Sequence, residues 1–499
     1  MEKGYYWKRI LRSLVSVFFV IMIVFVMVYS LVPRDRIFSN DSNLVKLGGK
    51  PDEKLQYQMR TWQKLGYLTY ADMTTYCGSQ YEVASDEIKA CLVSGSSEES
   101  DFVAYYESKG YTVQYMPVSQ SPIASKDIPL LERMGKWFSN LISFDNTNSV
   151  QDTNNPDLER GISVGSTPTG GFAIKCSGCT NKYLFYTDSK FPFIHQNWIS
   201  MNLGTSYPTY DGLQVLDVIG QTQGKEKLSE MTFETGKVTK SAISLTSCTY
   251  KSTLDRLDKD KFTDNYANCS TVKQDPSMIS TSLIMGVIAL ILSYGIGLPV
   301  GIKMAKSKDK FSDKLGMAYI IFIISVPSLA YIFIFRYIGA NLFGLPTSFA
   351  TKGAQEFTSW ILPTVSLALP SIASLMLWMR RYMVDQMNSD YVKFAKAKGL
   401  SQSEIFNKHI FRNAVIPIAQ GIPTNLAACI TGAIITESVY AVPGMGKMLP
   451  DAIKSYNNSM VIALAFIFTF ISVFAVFLGD VIITKIDPRI TLSNKEGRV

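Results

Sequence analysis

Long apolar runs without charge alternate with polar stretches along this chain, and that alternation predicts its architecture. Residues 14–32 hold 19 positions without a charge. At ~1.5 Å per helical residue this is enough to cross a hydrocarbon core of about 30 Å. Five further runs follow at about 278–302, 315–335, 360–379, 413–436 and 460–483. The run at 413–436 carries Pro417, Gly421, Pro423, Asn425 and Gly432, so it is expected to face other helices or a cavity rather than lipid. Asp480, near the end of the last run, is expected at the interface or against protein. A cleaved signal peptide is the alternative for the first run. That run exceeds a normal h-region, and no small-x-small site follows Ser30.

Charge orients the spans. The 499 residues are 47% hydrophobic and 18% charged. That is too apolar for one soluble domain and too polar for a wholly membrane-embedded chain. Residues 34–276 carry 25 Lys/Arg against 29 Asp/Glu, and the remainder 24 against 12. The positive excess sits at the ends of the apolar runs: Lys3, Lys8, Arg9 and Arg12; Lys303 to Lys314; Arg380 to Arg412; Lys485 to Arg498. With the N-terminus inside, all four clusters are cytoplasmic, as the positive-inside rule requires. The excess is not gathered on one soluble face, so nucleic-acid binding is a poor reading. The expected division is a cytoplasmic N-terminus and first helix at 1–33, an extracellular block at 34–276, a transmembrane domain at 277–484 and a cytoplasmic tail at 485–499, with both termini inside a plasma membrane.

The outer block is long enough for its own core. Runs at 183–186 and 242–247 read as strands, those at 151–156 and 167–171 as turns, and 51–67 and 127–143 as helices, which predicts an α+β domain. Six of the seven cysteines lie here: Cys77, Cys91, Cys176, Cys179, Cys248 and Cys269. In an oxidising compartment they permit up to three disulfides of undetermined connectivity. The pair Cys176 and Cys179 also has the spacing of half a zinc or redox site, but the chain holds no second such pair and only two histidines, His195 and His409.

Between the fourth and fifth runs lies a basic, helix-prone loop at 380–412. Asp390 can cap a helix at 391–398, and Gly399 is placed to end it in a left-handed conformation. Ser401 with Glu404 offers a capping box for a second helix at about 402–411. This elbow is expected to find nothing to pack on within its own chain and therefore to dock on another protein. The alternative is an amphipathic loop on the headgroups, held by its lysines.

The run Phe394-Ala-Lys-Ala-Lys-Gly-Leu400 resembles the EAA-type cytoplasmic loop of ABC importer permeases, although Lys393 and Phe394 replace the first two residues of that pattern. Further similarity lies in 436–447 (TESVYAVPGMGK), in the Asp487-Pro-Arg489 motif and in 197–207 (NWISMNLGTSY). Together these resemble the B-type permease of oligopeptide and dipeptide importers, in the enlarged, Ami-type form of Gram-positive bacteria. The resemblance implies a type I ABC importer permease fold of six transmembrane helices. It implies coupling to ATPases through Ala395, Lys396, Ala397, Lys398, Gly399, Leu400, Ser401, Glu404 and Ile405. Implied partners are a second, related permease, two cytoplasmic ABC ATPases holding ATP and Mg, and a lipid-anchored peptide-binding protein received by the outer block. A structural lid is the bland alternative for that block. The fifth span, with Thr424, Asn425, Thr431 and Thr436, is the candidate lining of a peptide path, and packing by small residues is the alternative.

No cofactor or metal is expected on this chain. Gly446-Lys447 is followed by Met448, and Ala441 stands where a Walker A motif needs glycine; Gly135-Lys136 fails in the same way. ATP hydrolysis is therefore expected in partner subunits. An importer of nickel or another substrate shares the architecture. A membrane-anchored envelope receptor explains the outer block but not five further spans.

Overall fold

The computed structural model describes residues 2–81, 86–93, 95–144, 161–166, 171–178, 183–188, 191–194, 199–220, 229–233, 235–241, 245–250, 259–262, 266–271, 276–431 and 433–486. Helix α1 (Glu2–Leu31) opens the chain. The polar segment then folds α2 (Pro51–Lys64), with Pro51 in its first turn beside Asp52 and Glu53, a composition suited to a helix start. Strands β1 (Leu68–Asp72), β2 (Thr112–Tyr115) and β3 (Pro122–Asp127) form an antiparallel sheet in the order β1-β3-β2. Met59 and Trp62 of α2 share a core with Leu68, Tyr70 and Ile123 of that sheet. Helix α3 (Leu130–Asn140) follows. Strand β4 (Ile142–Phe144) is next, then the antiparallel meander β5 (Gly161–Ser166), β6 (Phe172–Ser177), β7 (Tyr183–Asp188) and β8 (Phe191–Ile194). Strand β9 (Ile199–Met201) pairs with β4.

The expected helices at 51–67 and 127–143 thus correspond to α2 and α3, and the expected strand at 183–186 lies in β7. Residues 245–250 are a strand. Residues 242–244, 151–156 and 167–170 lie outside the described residues. A disulfide joins Cys77 to Cys91, both buried. Cys176 is also disulfide-bonded, and strand register sets Cys248 opposite Cys269; Cys179 is outside the described residues.

The apolar part contains α4 (Met278–Lys306), α5 (Phe311–Ser325), α6 (Ser328–Phe343) and α7 (Phe357–Met387). After them come α8 (Asp390–Ala397), α9 (Gln402–Gln420) and α10 (Ile422–Thr431). The chain continues through α11 (Ile434–Tyr440), α12 (Met445–Lys454) and α13 (Asn458–Ile486). Among the described residues, four single helices, in α1, α4, α7 and α13, are long and apolar enough to cross a membrane; two bent pairs, α5 with α6 and α9 with α10, bring the count to as many as six.

Two expected spans differ from the structure. The run at 315–335 is broken by a 115° turn between α5 and α6. Pro327 lacks an amide hydrogen and keeps Val326 extended, at φ −86° and ψ 131°, so the helix cannot pass through. The fifth span bends by 40° at Gly421 and its helix ends at Thr431; Thr436 belongs to the separate α11.

Two sets of contacts hold the polar segment on the bundle. The Phe138 ring of α3 lies 4.7 Å from that of Phe18 of α1, tilted by 40°, and the Arg133 guanidinium lies 3.9 Å from the Tyr29 ring and 4.0 Å from the Tyr67 ring. At the start of α13, buried Asn457 donates to Ser206 Oγ and Thr209 Oγ1, each at 2.8 Å, and Asn458 donates to Tyr67 Oη at 2.8 Å. Along the bundle, Arg9 pairs with Asp480 at 2.7 Å and ties α1 to α13. The charge that disfavoured Asp480 in lipid is therefore met inside the protein.

Helices α4 and α7 approach most closely at glycine. A β-carbon at Gly301 would fall 3.0 Å from the Met376 carbonyl oxygen and from Met379 Cβ; one at Gly297 would fall 3.0 Å from Leu375 Cβ. Gly295 on the same helix has open space. Gly301→Leu is therefore expected to destabilise the bundle by about 1–3 kcal/mol. Gly295→Leu should leave it close to the parent. Thermal melting of the detergent-solubilised protein, followed by size-exclusion monodispersity, reads the difference.

Candidate functional site

The loop between α7 and α9 is built by local signals that agree with one another. Ser389 is extended, at ψ 152°, and occupies the N-cap position of α8, with Asp390 inside the first turn and paired to Lys393 at 2.8 Å. This corrects the expectation that Asp390 caps the helix. The first turn places the carboxylate among free amides, where the helix dipole favours it. At the other end, Leu400 N–H donates to Ala395 O and Gly399 N–H to Lys396 O. That is the paired bonding of a Schellman ending, and Gly399 takes the required φ of +75°. Ser401 and Glu404 form both halves of a capping box. The second helix does not stop at 411. It passes through a π-helical stretch, Ile405–Phe411, and runs to Gln420, so the second arm of the elbow is continuous with the helix that leads to the bend at Gly421.

The expectation that this elbow has nothing to pack on in its own chain is also corrected. Val392, Ala395, Ile405 and Ile410 are buried in one cluster with Leu375, Met379 and Met383 of α7 and Ala305 of α4. A helix with apolar positions at this spacing lays that face on the ends of the neighbouring helices. Lys306 caps the contact with its ammonium 4.3 Å from the Phe406 ring. Of the residues implied in coupling, Ala395 and Ile405 therefore point into the protein, Leu400 and Glu404 are half-buried, and Lys396, Ala397, Lys398, Gly399 and Ser401 are exposed. The exposed face also carries Phe394, which is 69% accessible. An exposed phenylalanine flanked by lysines is an anchor of the kind that interfaces bury. Sequence reasoning noted Phe394 only as a departure from a family pattern; its position one residue from buried Ala395 was the available signal. A β-carbon at Gly399 would meet nothing within 4 Å, so that glycine is required by its backbone and not by crowding in the isolated chain.

The four expected path residues part company. Thr424 and Thr431 return their hydroxyls to Gly421 O and Ala427 O of their own helix, both at 2.9 Å. Thr436 is buried in α11. Asn425 faces a cavity, of about 190 Å³, with Pro370, Ser371, Ser374 and Leu375 of α7. A second cavity, of about 390 Å³, lies in the polar segment. Its Arg60 and Lys64 are already paired, with Asp72 at 3.0 Å and Asp211 at 3.7 Å.

The motif at 436–447 gains a physical reason. Glu437 is fully buried and accepts from Ser282 Oγ of α4 at 2.6 Å and from Lys447 N–H at 2.7 Å, while Ser282 Oγ accepts from Met445 N–H at 2.8 Å. A β-carbon at Gly444 would overlap the Glu437 carboxylate. A β-carbon at Gly446 would fall 3.0 Å from Glu437 Oε2, so Gly444, Gly446 and the glutamate together bolt the α11–α12 turn to α4. Among the described residues, no cluster of three or more His, Cys, Asp or Glu is arranged to hold a metal.

Residues 297–492 match the family model described as the binding-protein-dependent transport system inner membrane component. The chain is 40% identical over 502 residues to the oligopeptide transport system permease protein AmiC of Streptococcus pneumoniae, covering 99% of this chain and 100% of that protein. It is 30% identical over 228 residues to the dipeptide transport system permease protein DppB of Lactococcus lactis, covering 46% of this chain and 74% of that one. Among solved structures, an inward-facing MetNI methionine ABC transporter is similar with TM-score 0.35 and 14% identity, over 42% of this chain and 94% of that one.

The capping box carries a direct test. Ser401→Ala should weaken the start of α9 by about 1 kcal/mol, whereas Ser401→Asp should retain most of it. Hydrogen exchange of the amides at 402–405 should quicken by about fivefold in the first variant and hardly in the second.

Proposed function

The chain belongs to the family of binding-protein-dependent transport permeases, and from that premise we infer that it is the permease subunit of an ATP-driven importer of oligopeptides. The observation that carries the reading is full-length similarity to an oligopeptide permease, joined to an elbow whose exposed face is preorganised for a partner. In this reading the chain supplies half of a translocation path, and a second, related permease supplies the other half. Two ATPases grip Phe394, Lys396, Ala397, Lys398, Gly399 and Ser401 from the cytoplasm. The lysines that flank the loop agree with a cytoplasmic placement. ATP and Mg belong to those partners, and both termini of this chain lie on their side of the plasma membrane.

The mechanics follow from the packing. Movement of a docked ATPase reaches the spans only if the elbow does not flex. The buried underside of α8 is continuous with α7, and α9 is itself the beginning of the fifth span. A push on the exposed face is therefore delivered to α7, α9 and α10 together. The bend at Gly421 and the break at Pro327 divide the bundle into shorter segments that can rock against each other.

The polar segment, in this reading, lies outside the cell above the mouth of the path and receives a lipid-anchored peptide-binding protein. Its support is its size and its fastening to the start of α13 through Asn457 and Asn458, which joins any docking event to a membrane helix.

Gly399→Trp should separate ATP hydrolysis from uptake. A bulky side chain projects from the exposed face, and a non-glycine residue at φ +75° adds about 1 kcal/mol of strain. Peptide uptake should fall while ATPase activity in membranes persists. Undiminished uptake at normal expression would overturn the role given to this face.

A further inference from the structure

The uncovered surfaces of the membrane helices are not alike. On α1 they present Phe19, Ile23 and Met27, and on α5 and α6 they present Ile321, Ile324, Leu329 and Phe333. Side chains of that kind suit lipid. The uncovered strip of α7 instead runs Pro370, Ser374, Trp378, Arg381. Trp378 and Arg381, at the cytoplasmic end, suit the membrane interface; Pro370 and Ser374, one turn apart inside the span, are the part of the strip that differs from the apolar surfaces of α1, α5 and α6. Within this strip lies the cavity of about 190 Å³ shared with Asn425 of α10. Against the ~30 Å³ that a water molecule takes in the liquid, it has room for several.

Two helix irregularities meet at this level. Pro370 interrupts the hydrogen bonding of α7, and the 40° bend between α9 and α10 lies one turn before Asn425. Backbone breaks inside a membrane protein are tolerated where they line a cavity, and ligand sites form at them. Asn425 is held from one side only. Its Nδ2 donates to Tyr294 Oη of α4 at 2.9 Å, and that hydroxyl donates to Ile418 O at 3.4 Å. Among the described residues, nothing takes the Asn425 carbonyl oxygen or the Ser374 hydroxyl. The cavity therefore offers one fixed acceptor and one hydroxyl, and its lining contains no ionisable group.

We propose that Ser374 and Asn425 form a contact site for the main chain of the transported peptide, with Ser371 completing the wall. An acceptor and a hydroxyl match the N–H and C=O that every peptide presents, whatever its side chains. Without a charge in the lining, the site imposes no preference for acidic or basic cargo. The Tyr294 bond sets the orientation of the Asn425 amide, so Tyr294 is a positioning residue. The proposal rests on the importer reading above and assigns a ligand contact within it.

The test uses the intact transporter in membrane vesicles, penta-alanine as the probe peptide and a membrane-impermeant methanethiosulfonate reagent supplied on both faces. The parent chain, with Cys429 buried, sets the blank. Ser374→Cys should react and lose uptake, and penta-alanine should slow the reaction. Ile321→Cys, on a surface assigned to lipid, should not react. Asn425→Leu should raise the uptake KM for penta-alanine by about tenfold, the effect of losing one hydrogen bond that nothing replaces, with maximal rate largely kept. Tyr294→Phe should give a smaller rise in the same constant. An unreactive Ser374→Cys in a parent that imports the peptide would mean that lipid or the partner permease covers the strip, and would overturn the proposal while leaving the importer reading intact. Reaction that penta-alanine does not slow, with an unchanged KM for Asn425→Leu, would overturn the contact. A parent that imports neither penta-alanine nor a mixed peptide pool would instead defeat the importer reading itself.

Discussion

The burial of one face of a short polar helix against the ends of two membrane helices is the contact on which the rest depends. Val392 and Ala395 reach Met379 and Met383 across the α7–α8 turn, and Ile405 and Ile410 close the same cluster from α9. Each fully buried aliphatic side chain contributes on the order of 1.5–3 kcal/mol relative to exposure, far more than the lysine pairs on the outer face, which are worth about 0–1 kcal/mol each. The elbow is therefore held by apolar packing from beneath, while Lys396 and Lys398 stay exposed on its outer face. A loop held on headgroups only by its lysines would reverse that division.

The same economy runs through the bundle. Polar groups in the apolar part are matched within the protein where they serve structure: Arg380 grips Asp313 through two bonds of 2.6 and 2.7 Å, Arg9 meets Asp480, and Glu437 is held by Ser282 and backbone amides. Ser374 and the Asn425 carbonyl, which have no partner among the described residues, sit together in one cavity between α7 and α10, whereas the hydroxyls of Thr358, Ser359 and Thr364 of α7 are buried without a partner outside it. Low dielectric makes unmatched groups costly, so the grouping of Ser374 with Asn425 sets them apart from the structural polar residues around them.

Much of the local structure was legible, although the cap of α8 falls on Ser389 and not on Asp390. The Gly399 ending and the Ser401–Glu404 box are visible as residue types at fixed spacing, and both form. Each apolar run falls on a helix or a bent helix pair, although α1 begins at Glu2, α7 runs on to Met387 and α9 begins at Gln402, and the expected helices at 51–67 and 127–143 form as α2 and α3. Information carried by distant residues was not legible. The underside of α8 can be identified only once α7 brings Leu375 and Met379 beneath it. The 115° turn at Pro327 lies inside an unbroken apolar run, and hydropathy cannot separate one straight span from two bent helices. Thr424 and Thr431 look like path residues by type, yet their hydroxyls are taken by their own helix. Ser371 and Ser374 lie in the fourth span, in which the sequence analysis singled out no residue, and come into view through the cavity they share with Asn425.

If the elbow is a rigid handle, its position relative to its own bundle must not change as the transporter turns over. The most direct measurement is the spin-label distance between Ala397→Cys on the elbow and Lys303→Cys at the adjacent end of α4, taken by pulsed dipolar spectroscopy in the assembled complex. The account predicts one narrow distribution, the same without nucleotide and with ATP trapped. A distribution that shifts or broadens on ATP binding would show the elbow flexing on its own, and would contradict it.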